Sequence, residues 1–303
     1  MASKKIQVVT RQMYLSAKML AKESLKRKEG PLTREGLSEA LSIQEGTAGD
    51  LLALLNYGRY VGSTNEDIEV AGAELLLTDI HIPYHDQEAV DVALEYGKKV
   101  KADTIVLLGD IMDCYQISRY SKDPKKKPLS YEIEETKKFL TNLRKRFPKA
   151  RIIYYRGNHE MRLEKYIADC APALYDIVGN LLQTQLTFAE LGIEYRTEPF
   201  RIGRLWHLHG HEKPGAFGAE HLPNVMWKYV HDHCIFGHFH RNQSKIFKKI
   251  TGERYWVGSV GYLAGPQDYA PLNQWGQGFA TIEYDTDGRF KASIHEIVDG
   301  RIY

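Results

Sequence analysis

The chain has 303 residues, a hydrophobic content of 43% and a formal net charge of +2 at pH 7. This length fits one catalytic domain of roughly 230 residues with a small additional module, and the net charge excludes a polycationic protein as a whole. No apolar run approaches the ~18 residues of a membrane-spanning helix, and the basic start is not followed by the apolar segment of a signal peptide. We therefore expect no membrane association.

Three cysteines occur in the chain, an odd number without the spacing of a metal-binding motif. They are Cys114, Cys170 and Cys234. Disulfide bonds are therefore not expected, and a reducing cytoplasm is the compartment that the sequence favours.

The first segment in chain order, residues 1–68, is predicted to be a small basic helical module. Its first 60 residues hold ten Lys or Arg against six Asp or Glu. Helical periodicity and capping residues predict short helices at 10–28, from Thr33 to about Leu41, and at 50–57. With a possible wing at 60–70, this pattern suggests a helix-turn-helix-like module that contacts nucleic acid. A helical cap or a dimerisation element, and hence a homo-oligomer, explains the same pattern.

Residues 69–303 are predicted to form a catalytic domain in which strands and helices alternate. The predicted strands of its first half span residues 73–79, 105–108 and 152–155, and the predicted helical regions span 86–100, 131–147 and 160–191. Short strands dominate from residue 193, with one helix near 217–231 and a hairpin over 278–298. Winding of this kind places polar residues that follow the strands at one edge of the sheet.

Five short polar motifs follow strand-like runs. They are Asp79-Ile-His81, Gly109-Asp110-Ile-Met-Asp113, Gly157-Asn158-His159-Glu160, His209-Gly-His211 and Gly237-His238-Phe-His240. Carboxylate, imidazole and amide groups are the ligands that hard and borderline divalent cations prefer. In a strand that continues outward, Asp79 and His81 would project to the same side, and so would His238 and His240.

In these motifs, over about residues 72–298, the chain resembles the calcineurin-like metallophosphoesterases. The segments 113–120 and 158–163 are most similar to the small phage and prophage members. The resemblance implies an α/β fold, a four-layer α/β/β/α sandwich, which here follows the small N-terminal helical module. It also implies two divalent metal ions, with Mn²⁺ favoured and Fe, Zn²⁺ or Ni²⁺ as alternatives. Two such ions some 3.5–4 Å apart can clamp a phosphoryl group and activate a bridging hydroxide.

The metal ligands that the resemblance implies form two sets that share one carboxylate. They are Asp79, His81 and His240 for the first ion, Asn158, His209 and His238 for the second, and Asp110 as the bridge. By the same resemblance His159 is catalytic, because it faces the scissile phosphate and stabilises charge or protonates the leaving oxygen. Asp113 would hold the His159 imidazole in the required orientation.

Several other side chains are candidates for binding the substrate. They are Arg119, Arg156 and Arg162, and the basic run Lys125, Lys126 and Lys127. Each guanidinium can meet a phosphate with a planar pair of donors, although a surface ion pair is the common alternative. The lysine run can attract a polyanion over a long range, or it can be a solvated loop. Tyr84, Tyr115 and Tyr120 follow the metal motifs and can stack a base or simply pack.

The sequence favours hydrolysis of a phosphodiester in a nucleic acid or nucleotide, with a phosphomonoesterase, including a protein phosphatase, as the alternative. Protein Ser/Thr phosphatases carry Arg-Gly directly after the second motif, where this chain has Cys114 and Tyr115. They also carry Gly after the first motif, where this chain has Ile82. A scaffold without activity is disfavoured because no predicted ligand is missing.

Overall fold

The computed structural model describes residues 34–42, 72–123, 125–175, 181–212, 219–265 and 274–303. By the density of internal contacts the chain divides into two units, Met1–Glu66 and Asp67–Tyr303. The described part of the first unit contains helix α1, Arg34–Leu41, which agrees with the helix predicted to end near Leu41. The predicted helices at 10–28 and 50–57 and the possible wing lie outside the described residues.

The second unit contains two β-sheets in the described part of the chain. The strands of the larger sheet are β1 (Gly72–Leu77), β2 (Thr104–Leu108), β3 (Arg151–Tyr155), β4 (Ile193–Arg196), β10 (Gln277–Tyr284), β11 (Phe290–Val298) and β12 (Arg301–Ile302). Their order in the sheet is β12-β11-β10-β1-β2-β3-β4. Strands β1 to β4 are parallel, so the segments that follow β1, β2 and β3 meet at one edge.

The smaller sheet is formed by the second half of the chain. Its strands are β5 (Phe200–Ile202), β6 (Leu205–His207), β7 (Cys234–Phe236), β8 (Gln243–Lys248) and β9 (Arg254–Ser259). Their order is β5-β6-β7-β9-β8. Strands β6, β7 and β9 are parallel, and β5 and β8 pair antiparallel at the two edges.

The helices of the second unit follow the predicted pattern, with one difference. They are α2 (Gln87–Lys99), α3 (Leu129–Arg146), α4 (Met161–Cys170), α5 (Leu181–Gln185), α6 (Phe188–Leu191) and α7 (Leu222–Val230). The predicted helical region 160–191 is divided into short helices, because Pro172 begins a separate turn and cannot continue α4. Among the described residues, no helix has the length and apolar character required to cross a membrane.

Alternating side chains of the central strands divide the core into layers. Leu75 and Leu77 of β1 pack towards α2 and α3, whereas Leu76 points to the opposite face and packs between the two sheets. A third apolar cluster, which includes Phe236, covers the outer face of the smaller sheet beneath α7. Three apolar layers separate four structural layers, and the predicted α/β/β/α sandwich is confirmed.

Candidate metal centre

The predicted ligands lie in loops that follow the strands and not in extended strand. Strand β1 ends at Leu77, and both Asp79 and His81 have positive φ, 52° and 54°. Strand β7 ends at Phe236, and His238 and His240 also have positive φ, 68° and 57°. The predicted alternation along a continuing strand was therefore wrong. A left-handed turn at each residue, and not strand periodicity, brings each pair to the same side.

The first group of candidate ligands is Asp79, His81 and His240. The Oδ2 atom of Asp79 accepts hydrogen bonds from the Thr78 hydroxyl (2.7 Å) and the His238 amide (2.8 Å), which fix the carboxylate. Its Oδ1 atom lies 3.2 Å from His240 Nε2 and 3.9 Å from His81 Nε2. The two imidazole Nε2 atoms are themselves 3.4 Å apart, so three potential ligand atoms face one small space.

The second group contains Asp110, His209 and His238. The Asp110 Oδ2 atom is 3.2 Å from His209 Nε2, and the other carboxylate oxygen accepts a hydrogen bond from the His159 amide at 2.9 Å. His209 Nε2 is also 3.9 Å from Asp79 Oδ1. The two groups therefore adjoin each other across Asp79 and His209, as a dinuclear site requires.

The tautomers of two imidazoles leave their Nε2 atoms available to a cation. His209 Nδ1 lies 2.7 Å from the Leu108 carbonyl, and His81 Nδ1 lies 3.0 Å from Asp113 Oδ1. Because both partners accept hydrogen bonds, each Nδ1 carries a proton, and each Nε2 can present a lone pair to the centre once a cation displaces its own proton.

Unpaired polar atoms provide a test of whether a metal fits the centre. Asp79 Oδ1, His209 Nε2 and Asn158 Oδ1 are buried without a hydrogen-bond partner in the described part of the chain. Leaving such atoms unpaired is costly, and ligation of a cation would satisfy them. The donor set of carboxylate, imidazole and amide fits hard to borderline divalent ions.

Electrostatics also favour a cation at the centre. Burial opposes ionisation of Asp79, but His209 and His240 outweigh it and lower the pKa of this carboxyl to about 2. Burial likewise opposes ionisation of Asp110, and His159 and His209 hold its pKa well below the ordinary value. Burial next to His209 lowers the pKa of His238 to about 4. Burial opposes protonation of His209, but the carboxylates of Asp110 and Asp79 outweigh it and raise the pKa of this imidazole to about 10. The centre therefore presents ionised carboxylates and a neutral His238 at pH 7, and ligation by His209 would release a proton.

His159 lies beside the two groups and contacts Asp113 twice. Its Nδ1 atom is 2.8 Å from the Asp113 carbonyl and 3.2 Å from Asp113 Oδ1. Arg162 Nη2 donates to His159 Nε2 at 2.7 Å, and Nη1 of the same guanidinium donates to the Asp113 carbonyl at 2.8 Å. His159 Nε2 is 3.6 Å from Asp110 Oδ2, so the ring edge that Arg162 contacts also faces the candidate metal centre.

The sequence model of the calcineurin-like phosphoesterase family matches residues 75–242, which include all five motifs. The chain belongs to this family. Membership makes it a metal-dependent phosphoesterase, and the candidate ligands described above occupy the matched region.

Similar proteins come from phages and from eukaryotes. The gene 54 protein of Mycobacterium phage L5 is 27% identical over 250 residues, which cover 75% of this chain and 94% of that protein. The gene 54 protein of Mycobacterium phage D29 is 24% identical over 248 residues, with the same coverage of 75% and 94%. Among solved structures, wild-type Vps29 complexed with Zn²⁺ from Entamoeba histolytica is 15% identical and covers 76% of this chain and 96% of its own, with a TM-score of 0.42.

Two glutamates, the buried Glu160 and the half-buried Glu212, hold the loops of this phosphoesterase in place, although neither was predicted to have a role. Glu160 accepts hydrogen bonds from the amides of Asp110, Ile111, Met112 and Gly157 and from the Tyr154 hydroxyl. Glu212 accepts from the amides of His209 and Gly210 and from the Tyr155 hydroxyl. The adjacent tyrosines of β3 point to opposite faces, so one strand supports both loops. The final Glu of the Gly-Asn-His-Glu motif was the available signal for Glu160, whereas Glu212 had none.

The predicted substrate-binding arginines differ in their surroundings. Arg156 forms an ion pair with Glu164, which is the alternative that the sequence left open. Arg162 contacts His159 as described, whereas Arg119 is exposed, with its guanidinium 5.2 Å from the Tyr120 ring centroid. Of the three, Arg162 alone has a contact with a predicted catalytic residue among those described.

The lysine run folds towards the segment after the first motif. Lys125, Lys126 and Lys127 are exposed, and Lys126 Nζ lies 4.5 Å from the ring centroid of Tyr84. Gln116 donates to the carbonyls of Lys126 and Lys127, at 3.3 and 3.4 Å, and so ties the run to the turn after Asp113. The run is therefore attached to two segments that also carry site residues.

Proposed function

We propose that this phosphoesterase hydrolyses phosphodiesters of a nucleic acid or nucleotide with two divalent metal ions. The observation that carries the proposal is the convergence of two carboxylate–imidazole groups whose unpaired atoms face adjoining spaces. Mn²⁺ is the proposed ion, with Fe, Zn²⁺ or Ni²⁺ as alternatives. A reducing cytoplasm is the proposed compartment, and its support is that all three cysteines are free thiols.

In this proposal each group holds one ion. Asp79, His81 and His240 bind the first, Asn158, His209 and His238 bind the second, and Asp110 lies between them. When bound, the two ions would polarise the phosphate and lower the pKa of the attacking water. The protein fixes the ligand atoms in advance, since the backbone amide of His238 and the Leu108 carbonyl orient Asp79 and His209.

His159 is the proposed proton donor to the leaving oxygen. The Asp113 carbonyl accepts its Nδ1 proton and orients the ring, and Asp113 Oδ1 bonds His81, so Asp113 couples the first ligand group to His159. Arg162 occupies His159 Nε2 in the absence of substrate. A phosphate oxygen is a stronger acceptor for a guanidinium than a neutral imidazole. We therefore infer that bound substrate draws Arg162 away and frees Nε2 to take up a proton from water, which the imidazolium then passes to the leaving oxygen.

The proposal of a nucleic-acid substrate is supported by the charges near the candidate metal centre. Lys125, Lys126 and Lys127 form an exposed cationic run attached to the segment that follows His81. Clustered charge of this kind raises the local concentration of a polyanion and speeds its association.

The test is paired hydrolysis of bis-p-nitrophenyl phosphate and p-nitrophenyl phosphate with Mn²⁺. We expect the wild-type protein to prefer the diester and Asp110→Asn to lose turnover of both. An exposed carboxylate elsewhere provides the matched control, and Asp287→Asn should retain full activity. Preference for the monoester would replace the proposal with a phosphatase, for which the lysine run would bind another anionic partner.

A further inference from the structure

A cleft of about 390 Å³ opens beside the candidate metal centre, between the turn after Asp113 and helix α4. Asn158 forms part of its wall, so the cleft begins at a predicted metal ligand. Arg162 lines it as well and links it to His159 through the 2.7 Å contact with the imidazole. A group bound in this cleft would therefore be a direct neighbour of the reacting phosphate.

The lining of the cleft combines cations with aromatic rings. Arg119, Arg162 and Lys165 supply three positive charges against one negative charge from Asp169. Tyr120 and Tyr166 line the same cleft and are 63% and 49% exposed. Exposed tyrosines next to cationic side chains are the combination with which proteins stack bases and track a phosphate backbone.

The dimensions of the cleft favour a single nucleotide. Small-molecule sites occupy about 300–1,000 Å³, and this cleft lies near the lower limit of that range. A duplex keeps its bases stacked inside, where the tyrosines could not reach their faces, whereas a single strand can present an unstacked base.

We propose that this cleft binds the nucleotide next to the scissile phosphate of a single-stranded nucleic acid. Its base stacks on Tyr120 or Tyr166, and its outer phosphate meets Arg119 and Lys165. The inference rests on the proposed phosphodiesterase function and adds to it a subsite and a preference for single strands.

The test compares two Lys-Tyr pairs that are exposed on helices. Lys165→Ala/Tyr166→Ala removes one wall of the cleft from α4, and Lys228→Ala/Tyr229→Ala is the matched control on α7. The measured quantity is the ratio of kcat/KM for a single-stranded oligothymidylate to that for bis-p-nitrophenyl phosphate. We expect the α4 variant to lower this ratio by about tenfold to a hundredfold, as the loss of one stacked base implies, and the control to leave it unchanged.

Two further measurements distinguish stacking of the base from electrostatic attraction of the strand alone. The wild-type protein should cleave the single strand at least about tenfold faster than the same strand in a duplex. The Asp110→Asn variant should bind the single strand at least about tenfold more tightly than an abasic strand of equal length, as measured by fluorescence anisotropy. The double variant Arg119→Ala/Tyr120→Ala, which alters the opposite wall of the cleft, should reduce the preference for single strand over duplex and the preference for the strand over the abasic strand. It provides a second test if Lys165→Ala/Tyr166→Ala does not fold.

The outcomes distinguish a failure of the proposed subsite from a failure of the proposed phosphodiesterase function. One outcome is that the wild-type protein prefers bis-p-nitrophenyl phosphate to p-nitrophenyl phosphate while the α4 variant and its α7 control both keep the wild-type ratio of kcat/KM values. In that case the subsite is wrong and the phosphodiesterase function stands. Equal cleavage of single strand and duplex would also overturn the subsite. Preference for p-nitrophenyl phosphate, or for a phosphopeptide whose turnover falls in the α4 variant, would overturn both.

Discussion

Backbone conformation at single residues determines how the candidate metal centre is assembled. Five of the seven predicted ligands have positive φ, at 52° for Asp79, 54° for His81, 52° for Asp110, 68° for His238 and 57° for His240. A side chain in this region costs on the order of 1–3 kcal/mol and persists only where its surroundings impose it. The hydrogen bond that Asp79 Oδ2 accepts from the His238 amide and the one that Glu160 accepts from the Asp110 amide are contacts that can impose it here.

At the same scale, His159→Ala should separate chemistry from metal binding. We expect turnover of bis-p-nitrophenyl phosphate to fall by about 10²–10⁴-fold, because a positioned proton donor contributes that much. The metal content should not change, since His159 is not among the proposed ligands. Elemental analysis of the purified variant beside steady-state kinetics gives both quantities.

Two histidine variants provide the comparison for His159→Ala. His238→Ala should lose metal as well as turnover, whereas His85→Ala, whose ring bonds Gln87, should lose neither. Loss of bound metal in His159→Ala would show that the assigned role is wrong.

At the scale of elements, the site depends on loops that approach one another closely. A Cβ atom at Gly157 would collide with the Asp110 carboxylate and amide, and a Cβ atom at Gly237 would collide with Thr78 and Asp79. Glycine in these two motifs is therefore required by contact between loops.

Helix α3 supports the turn after Asp113 through Glu132. The carboxylate is fully buried and accepts a hydrogen bond from the Tyr115 amide at 3.2 Å. Burial, with a contribution from Asp113, raises the pKa of Glu132 from 4.5 to about 7. Between these two values the folded protein holds a proton that the unfolded chain has released, so stability falls as the pH rises through this window.

Glu132→Gln should remove this loss of stability, because the amide resembles the protonated acid. The free energy of unfolding of the variant, relative to that of the wild-type protein, should be roughly 1–3 kcal/mol higher at pH 8 than at pH 5. Urea denaturation in EDTA measures this difference without a contribution from bound metal. Glu134→Gln, at an exposed position of α3, is the control and should show no such dependence on pH. An equal effect of Glu132→Gln at both pH values would contradict the assignment.

For the whole molecule, the resemblance to the family implied the four layers, and the winding of strands and helices predicted a site at the ends of the strands. Neither predicted the contacts that join the layers. Periodicity and turn residues predicted strand β2 and the hairpin of β10 and β11, because both signals are local. The link between the two sheets depends on residues far apart in sequence. Buried Glu74 of β1 lies 2.9 Å from His207 Nε2 of β6 and accepts from the Tyr284 hydroxyl at 2.7 Å.

The distinction between local signals and contacts that are distant in sequence also applies to the candidate metal centre. The resemblance of the motifs to those of the family implied which side chains would be ligands, and the structure groups His209, and not His211, with Asp110 and His238. The motifs did not predict the left-handed conformations, since a positive φ at Asp or His follows from tertiary contacts. Nor did they predict the role of Glu212, which bonds Tyr155 of β3 in the larger sheet and the amide of His209 in the loop after β6 of the smaller sheet.

The proposed function requires that the loops of the candidate metal centre hold two metal ions. The most direct test is an anomalous difference map from crystals grown with Mn²⁺. We expect two peaks roughly 3.5–4 Å apart, one beside Asp79, His81 and His240 and one beside Asn158, His209 and His238, with Asp110 in contact with both. A single peak, or a peak held by His81, Asp113 and His159 instead, would contradict it.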